Sequence, residues 1–378
     1  MSVSTYSHVS VTGLKTVVPA QYVDIDDELE FFGNDAVRLA REKKQVGYGR
    51  RYIAEAATTV CDMACHAAEC LISEMSVDKS EIDLLVFVNQ APEYVAPCDA
   101  CLAQGRLGLS KSCAAVDLNL GCSGWPYALM TAHALMSSGG FRKGLVLAGD
   151  VPSRKADKQN RKKVQLFGDA ASATLLEYNA AKDIKATFVC GTDGAGWESL
   201  VCPFGGMRNP ITHEVLDYSA VDASGSVWHA MHSVMKGEDV FAFTLEVAPK
   251  LIRETVDAAG WQVEDVGLFA IHQANKMIVK SIAKKAKLPP ENAPWETFSK
   301  YANNSTNSVV TVICDQLNGR KADKVIACAF GVGLSWGAAA LDLSGMYNGG
   351  ISFYEEQKKV VGVGETLEHY RKIFCGEI

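Results

Sequence analysis

The sequence predicts an α/β protein in which parallel strands are joined by helices. Runs rich in Val, Ile, Leu and Ala, typical of strands buried on both faces, occur at 84–89, 113–119 and 144–150. Between them, the segments 58–75 and 122–138 have the length and periodicity of helices. Strands that alternate with such helices indicate right-handed crossover connections on a parallel sheet.

The chain is long enough for two core-sized units. Its 378 residues exceed the roughly 250 to 300 at which a single hydrophobic core stops growing. The second half repeats the alternation, with apolar segments at 240–260, 267–272, 324–331 and 338–344. We therefore predict halves at 1–180 and 181–378, with an unassigned tail after about residue 346. No Pro- or Gly-rich linker separates them, so tight packing of the halves is expected.

Composition disfavours several classes of protein. Hydrophobic residues make up 48% of the chain and charged residues 21%, which is typical of a globular protein and argues against disorder or a fibrous repeat. A net charge of -7 offers no basic surface for nucleic acid. No run reaches about 18 apolar residues and the N-terminus lacks a basic, then apolar, leader, so neither a membrane span nor export is expected. The twelve cysteines stand mainly in apolar runs, which favours a reducing cytoplasm.

One cysteine has the setting of a nucleophile. Gly121-Cys122-Ser123-Gly124 follows the strand at 113–119 and opens the helix at 122–138. Glycines on both sides permit a sharp turn, and the positive end of a helix dipole favours thiolate over thiol. Cys122 is therefore a candidate nucleophile, although a small packing residue under a turn would fit the same spacing.

Three further places could carry chemistry. His272 ends the strand at 267–272, at the sheet edge where α/β proteins place ligands, but a hydrogen-bonded edge residue would look the same. Asn303 and Asn304 precede a helix, where asparagine commonly caps. The glycine-rich stretch 327–341 could form an oxyanion hole or simply a hairpin.

The remaining features have simpler interpretations. The Gly- and Pro-rich stretch 191–236 is typical of a long loop over a site. Cys98 and Cys101 form a lone CxxC without a second pair for zinc, and we interpret them as structural. No phosphate-binding or dinucleotide-binding loop is present, so no nucleotide cofactor is indicated. The basic run 154–163 is expected to be a solvated loop.

Five motifs, in order, resemble the β-ketoacyl-acyl carrier protein synthase III family of the thiolase superfamily. They are DLNLGCSG at 117–124, FGDAASATLLE at 167–177, IHQANK at 271–276, KYANNSTNS at 300–308 and FGVGLSWGAAAL at 330–341. The similarity covers roughly residues 7 to 344. It implies two duplicated βαβαβαββ halves packed as a five-layer αβαβα sandwich.

The resemblance also implies a reaction and a set of residues. Cys122 would be acylated, His272 and Asn303 would assist, and the backbone N–H groups of Cys122 and Gly333 would form the oxyanion hole. The implied reaction is decarboxylative Claisen condensation with a malonyl thioester, serving fatty acid or related polyketide synthesis without a metal or other cofactor. Substrate-binding positions carried over are Ala96, Arg161, Met235, Phe241, Ala274 and Asn275.

Partners follow from the same resemblance. Acyl-coenzyme A or an acyl carrier protein would donate the acyl group, malonyl-acyl carrier protein would extend it, and Lys284 and Lys285 would dock the carrier. A homodimer is implied, and no nucleic acid or membrane partner is expected. Arg41 and Gln45 stand where the family usually has a Trp and an Arg for coenzyme A, which favours a carrier-protein donor. Ala96 replaces a bulky gate residue, which predicts a larger acyl pocket.

Three other functions remain open at this stage. An acyltransferase of the same superfamily would load Cys122 and pass the acyl group to an alcohol or amine without decarboxylation. A papain-like protease also has Cys, His and Asn in that order, but its cysteine lies near the N-terminus of an exported chain. An inactive scaffold partner is disfavoured because all three reactive residues are present.

Overall fold

The computed structural model describes residues 1–156, 158–161, 163–356 and 360–377. Within these ranges it has seventeen strands and ten α-helices. The strands are β1 (Ser2–Ser7), β2 (Val9–Pro19), β3 (Tyr22–Asp24), β4 (Arg50–Tyr52), β5 (Ile82–Asn89), β6 (Ala114–Asn119), β7 (Lys143–Asp150), β8 (Ala170–Tyr178), β9 (Lys185–Thr192), β10 (Leu200–Val201), β11 (Ser219–Val221), β12 (Val227–His229), β13 (Val234–Met235), β14 (Leu268–Ile271), β15 (Lys324–Gly331), β16 (Ser335–Asp342) and β17 (Tyr347–Tyr354). The helices are α1 (Ala36–Val46), α2 (Val60–Glu74), α3 (Asp99–Leu107), α4 (Gly124–Met136), α5 (His213–Asp217), α6 (Gly237–Ala258), α7 (Lys276–Lys285), α8 (Glu296–Tyr301), α9 (Ser308–Gln316) and α10 (Val363–Phe374).

Two mixed sheets form the frame of the molecule. One has six strands in the order β17-β2-β8-β7-β5-β6, and the other has five in the order β1-β9-β16-β15-β14. In the first, β5 pairs in parallel with both β6 and β7. In the second, β14 pairs in parallel with β15, whereas β15 and β16 form an antiparallel hairpin. The parallel pairs bring several strand ends, with the turns that follow them, to common sheet edges.

The strands alternate their side chains between two cores. Val86 and Val88 of β5 belong to a central core with α4 and α9, whereas Leu85 and Phe87 belong to an outer core with α2 and α3. A third core packs α6 and α7 on the far side of the second sheet. The layers are therefore helix, sheet, helix, sheet, helix. The predicted five-layer sandwich is confirmed, with α4 and α9 at its centre.

The chain termini are exchanged between the halves. Strand β1 pairs with β9 of the second half, and β17 pairs in parallel with β2 of the first. The predicted division near residue 180 separates β8 from β9, but the first strand and the tail lie in the sheet of the opposite half. The tail after 346, left unassigned from sequence, contains this strand and the exposed helix α10. Local pattern alone could not show either pairing.

The predicted repeat is complete only in the first half. There, β2, α2, β5, α3, β6, α4, β7 and β8 follow the order βαβαβαββ. In the second half, the fully described segment between α7 and α9 contains α8 and short 3₁₀ turns but no strand. The position of the third strand is thus occupied by a loop region, and that region carries Asn303.

Two local predictions were wrong. The run at 113–119 forms a strand, but β6 is an edge strand whose residues are exposed or half-buried, not a buried central strand. The basic run 154–163 is only partly solvated, because Arg154 donates to main-chain carbonyls near residue 55 and Lys163 is buried against Ser233. Residues 157 and 162 of that run lie outside the described ones.

No helix among the described residues is long and apolar enough to cross a membrane.

Candidate active site

Cys122 lies in the turn between β6 and α4. Its Sγ is 3.9 Å from Oγ of Ser305, which belongs to the second half of the chain. A side chain at Gly331, the last residue of β15, would place its Cβ 2.8 Å from that Sγ, so only glycine permits this approach. The buried hydroxyls of Ser123 and Ser335 lie 2.6 Å apart and join the same two halves. The turn with the thiol is therefore fitted directly against the second sheet.

The electrostatic setting of this thiol differs from the simple expectation of a dipole-activated thiolate. Burial raises the pKa of Cys122, the Ser305 hydroxyl lowers it, and the Asp150 carboxylate raises it further. Sγ also accepts hydrogen bonds from the backbone N–H groups of Val332 and of Cys122 itself, which act in the lowering direction. Burial outweighs these donors, so the resting group is a thiol. Its proton has to leave during attack rather than before it.

His272 directly follows β14. Its backbone N–H donates to the carbonyl of Cys328 at 2.8 Å. Its imidazole ring packs edge-on against Phe330, with ring centroids 5.5 Å apart. Burial lowers the pKa of His272 to about 4, so the ring is neutral at pH 7. Nδ1 is buried and makes no hydrogen bond with any described residue. A buried nitrogen lone pair without a hydrogen bond costs less free energy than a buried N–H without an acceptor. The ring proton therefore belongs on Nε2, which is then a donor.

The neighbour of His272 holds this turn in place. The backbone N–H of Gln273 donates to Oγ of Ser308 at 2.7 Å, and its side chain bonds the carbonyls of Ile271 and Pro294 and the N–H of Phe298. Gln273 is 1% exposed, and these contacts satisfy its amide. The histidine is thus presented from a rigid, buried turn.

Asn303 lies in the turn between α8 and α9. Its backbone pairs with Leu166 and Gly168 of the first half, and its Oδ1 accepts the N–H of Ser305 at 2.9 Å. Because that N–H requires an oxygen acceptor, the amide group is oriented with Nδ2 pointing the other way, as a donor. Ala302 (φ 58°) and Ser305 (φ 49°) flank it in left-handed conformations, which non-glycine residues adopt mainly at functional sites.

Asn304 has a structural role. Its Nδ2 donates to the carbonyls of Gly168 and Tyr301 at 3.0 and 2.9 Å. The side chain is 1% exposed and closes the turn between the two halves. Asn304 therefore fixes the turn, whereas Nδ2 of Asn303 has no hydrogen-bond partner among the residues that the structure describes.

The glycine-rich hairpin supplies a backbone donor, but at a different residue from the one expected. The N–H of Val332 reaches Sγ of Cys122, and Val332 lines the cavity there, whereas a Cβ built on Gly333 would face Ser335. Val332, one residue before Gly333, is therefore a second candidate for the oxyanion donor, and the role of Gly333 stays a prediction. The conformation of the tight turn decides which backbone N–H faces the sulfur. The three glycines in the sequence do not indicate that residue.

A cavity of about 420 Å³ opens at Cys122, a volume suited to a small ligand. Ser305 and Val332 line it together with Leu200, Cys202 and Phe204 from the predicted loop at 191–236. His272 and Asn303 lie outside this lining, but Oδ1 of Asn303 accepts the N–H of Ser305, which does line the cavity. The cavity is thus built from both halves and covered by the loop.

The residues carried over for substrate binding are dispersed. Ala96 and Arg161 are exposed, and Phe241 and Ala274 are half-buried. Met235 lines a neighbouring cavity, and Asn275 caps α7 by accepting the N–H of Ile278. None of the six lines the cavity at Cys122. Their roles in binding stay predictions.

Sequence reasoning missed four residues of this site: Ser305, Val332, Gln90 and Lys155. Ser305 and Val332 contact the sulfur, and Gln90 and Lys155 line the cavity. Ser305 lies within the asparagine motif, so its proximity to Asn303 was a usable signal. Lys155 was missed because it stands in the basic run 154–163, which the sequence predicts to be solvated.

Comparisons with known proteins show which family the chain resembles in sequence and fold. A family model described as 3-oxoacyl-[acyl-carrier-protein (ACP)] synthase III matches residues 116–194, and the model of its C-terminal part matches 256–343. A Symbiobacterium thermophilum β-ketoacyl-[acyl-carrier-protein] synthase III is 32% identical over 88% of this chain and 97% of its own length. A Campylobacter jejuni protein assigned by name to 3-oxoacyl-[acyl-carrier-protein] synthase 3 is 34% identical over 93% of this chain and 99% of its own. The crystal structure of a Burkholderia xenovorans 3-oxoacyl-(acyl-carrier protein) synthase superposes with a TM-score of 0.83 at 33% identity, covering 94% of this chain and 99% of that one.

Proposed function

This chain belongs to the 3-oxoacyl-[acyl-carrier-protein] synthase III family, and we propose that it joins an acyl group carried on Cys122 to a malonyl thioester with loss of carbon dioxide. It is an acyltransferase of the condensing type, and its product is a 3-oxoacyl thioester. The observation that carries the proposal is the position of the Cys122 sulfur, in a cavity between the halves, against Ser305 and the N–H of Val332.

Acyl transfer is the first step. The sulfur of Cys122 attacks the thioester carbonyl, a new C–S bond forms, and the bond to the pantetheine sulfur breaks. The thiol proton leaves with the pantetheine thiol, which matches a resting group whose pKa burial has raised. The backbone N–H groups of Cys122 and Val332 stabilise the oxyanion, because donors that already reach Sγ lie next to the carbon bonded to it.

Condensation is the second step. The carboxylate of the malonyl thioester leaves as carbon dioxide, and the electron pair of the broken C–C bond forms an enolate. Nε2–H of His272 and Nδ2–H of Asn303 donate to the enolate oxygen. The carbanion attacks the acyl carbon, the C–S bond to Cys122 breaks, and the departing thiolate takes up a proton from solvent to restore the resting thiol. A histidine that is neutral at pH 7 suits this role, because its Nε2–H donates a hydrogen bond and is not released to solvent at that pH.

A homodimer accounts for an edge left uncovered in the single chain. Strand β6 has an unpaired side, Val116 on it is 40% exposed, and the nearby Val95 is fully exposed. Exposed, apolar strand edges are normally covered in the assembled protein. We propose that β6 pairs with β6 of a second copy, which would bring Ala96 of each chain toward the partner. Sedimentation at micromolar concentration tests this: a dimer supports it and a monomer contradicts it.

A basic face on α7 fits an acidic carrier protein. Lys276, Lys280 and Lys284 recur every fourth residue and so share one face of the helix. Lys284 is exposed, whereas Lys285 is tied to the carbonyl of Leu245 at 2.9 Å. We propose that Lys284 contacts the carrier and that Lys285 mainly positions the helix. Lys284→Glu is expected to raise KM for a carrier-protein thioester about tenfold while leaving KM for a pantetheine thioester unchanged.

Product analysis tests the proposed function. The protein is incubated with an acyl thioester and malonyl-acyl carrier protein, and both released carbon dioxide and product mass are measured. The account predicts one carbon dioxide per product and an acyl chain longer by two carbons. An ester or amide formed without carbon dioxide would show instead the acyltransferase that passes its acyl group to an alcohol or amine.

A further inference from the structure

The cavity at Cys122 has several polar side chains in its lining. Gln90, Asn119, Asp150 and Lys155 line it, in addition to Ser233. The larger apolar side chains of the lining are Phe167, Leu200, Val201, Phe204, Val332 and Pro152. A pocket meant for a plain alkyl group would be lined almost throughout by apolar atoms, because polar groups covered by hydrocarbon lose their contacts with water.

Lys155 bonds two of these polar residues. Its Nζ donates to the carbonyl of Gln90 and to Oδ1 of Asp150, both at 3.0 Å. An ammonium has three N–H donors, and no described residue accepts the third. The side chain is 26% exposed, and the residue lines the cavity, so the third donor is available to a bound molecule.

Asp150 fixes this lysine and balances its charge. The carboxylate is 2% exposed and accepts from the backbone N–H of Val151 as well as from Lys155. A buried carboxylate is stable only when it is paired in this way. Asp150 also lies close enough to act on the Cys122 thiol, which places the ion pair in the same space as an acyl group on that sulfur.

We propose that the primer carried by Cys122 is a short acyl chain bearing a neutral oxygen, a hydroxyl or a keto group, that accepts a hydrogen bond from Lys155. The proposal rests on the proposed function, since it names the acyl group of that reaction. Lys155 is a specificity-determining residue, and Asp150 is the positioning residue that aims it.

Charge decides between oxygen types. A carboxylate on the primer would be repelled by Asp150, because the Lys155 ammonium between them is already neutralised by Asp150. A hydroxyl or keto oxygen on the primer accepts the third N–H of Lys155 without such repulsion. Lys163 does not alter this balance at the cavity, because its Nζ donates to the carbonyl and hydroxyl of Ser233 and the residue lines the neighbouring cavity. A plain alkyl chain would cover the spare donor and leave it unpaired.

A competition experiment tests the proposal. The full chain is offered equal concentrations of the pantetheine thioesters of butyrate, 3-hydroxybutyrate, 4-hydroxybutyrate and succinate, and the adducts on Cys122 are counted by intact-protein mass spectrometry. We expect one of the hydroxyacyl adducts to exceed the butyryl adduct at least about tenfold, the ratio that a hydrogen bond from a charged donor supplies. Equal loading, or a preference for butyryl or succinyl, would overturn the proposal.

Variants assign the preference to Lys155. Lys155→Met is expected to bring the hydroxyacyl-to-butyryl ratio close to one, whereas Lys158→Met, at an exposed lysine of the same loop, should leave it unchanged. Asp150→Asn combined with Lys155→Met removes both charges together and provides a second variant if the single one does not fold. Retention of the ratio in these variants would contradict the role of Lys155. No adduct from any thioester would count against the proposed function itself, which separates the two failures.

Discussion

The two halves share one layout but supply different chemistry. Helices α4 and α9 occupy the same central layer, and each begins at a reactive turn, with Cys122 before α4 and Asn303 before α9. Strands β5 and β14 end in comparable turns, yet Asn89 of the first is tied to Asp99 and Ala91, whereas His272 of the second keeps Nε2 as a donor. In the proposed reaction, the first half provides the nucleophile, and the second provides the side-chain donors for condensation.

The difference arises where the halves diverge in structure. In the first half, β6 leads directly into Cys122 and holds the turn at a sheet edge. In the second half, the corresponding segment has no strand, and the left-handed residues Ala302 and Ser305 hold Asn303 in a turn fastened to Gly168 of the first half. Without a strand in the fully described segment between α7 and α9, Asn303 lies in a loop that bonds Leu166 and Gly168 of the first half.

The largest expected effect separates the two steps. His272→Ala or Asn303→Ala removes a donor of the second half, so condensation should fall by about 10³-fold or more, while acylation of Cys122 persists. Carbon dioxide release and adduct mass, measured on the same samples, report the two steps. Asn304→Ala is the contrasting variant: it should lower stability rather than act on one step. Loss of acylation in the His272 variant at unchanged stability would contradict the division of labour.

The next largest effect on activity is expected at Gly331, where the second half closely contacts the Cys122 turn. Gly331→Ala places a methyl group 2.8 Å from Sγ of Cys122, so the thiol must move, and acylation should slow by about 10²-fold. Gly194→Ala is the matched control, because a Cβ there meets nothing within 4 Å. Acylation rates from stopped-flow quenching and mass spectrometry measure both. Equal rates in the two variants would show that the halves do not meet so tightly.

Acid should destabilise both halves through one buried histidine each. Burial lowers the pKa of His133, in α4, and of His272 to about 4, below the ordinary value of 6.5. Below pH 6.5 the unfolded chain therefore binds more protons than the folded one, and the free energy of unfolding decreases as the pH falls toward 4. At pH 5 the decrease is about 2 kcal/mol per histidine. Urea unfolding at pH 7.5 and 5.0 measures the loss. His133→Gln and His272→Gln should each reduce that pH-dependent difference, and an unchanged pH dependence would refute the assignment.

The smallest effect concerns the hydrogen bond between the halves. Oγ of Ser335 donates to the carbonyl of Val332, so Ser123 is the donor in its 2.6 Å contact with Ser335. Ser123→Ala should lower the free energy of unfolding by about 1 kcal/mol. Ser137→Ala, at an exposed position beyond α4, should change it less. Thermal unfolding with a Ser123→Ala, Ser335→Ala double-mutant cycle measures the coupling, and a coupling near zero would contradict the link.

The sequence predicted the parts of the molecule that depend on local pattern. Apolar runs such as 84–89 and 324–331 became central strands, because burial on both faces leaves a continuous apolar signature. Pairings between distant segments left no such signature, so the exchange of β1 and β17 between the sheets was missed. The N–H of Val332 at the Cys122 sulfur was not predicted, because the conformation of the turn decides which backbone N–H faces the thiol. Lys155 was missed because its burial depends on Gln90 and Asp150, which are distant or unremarkable in sequence.

The most direct test of the account is the location of the first acyl group. The folded protein is incubated with an acyl pantetheine thioester, digested and mapped by mass spectrometry before and after addition of malonyl-acyl carrier protein. The account predicts one acyl group per chain on the peptide containing Cys122, discharged when the malonyl thioester is added, and none in Cys122→Ala. An acyl group on another thiol, such as the exposed Cys101 or Cys202, with Cys122 unmodified, would contradict it.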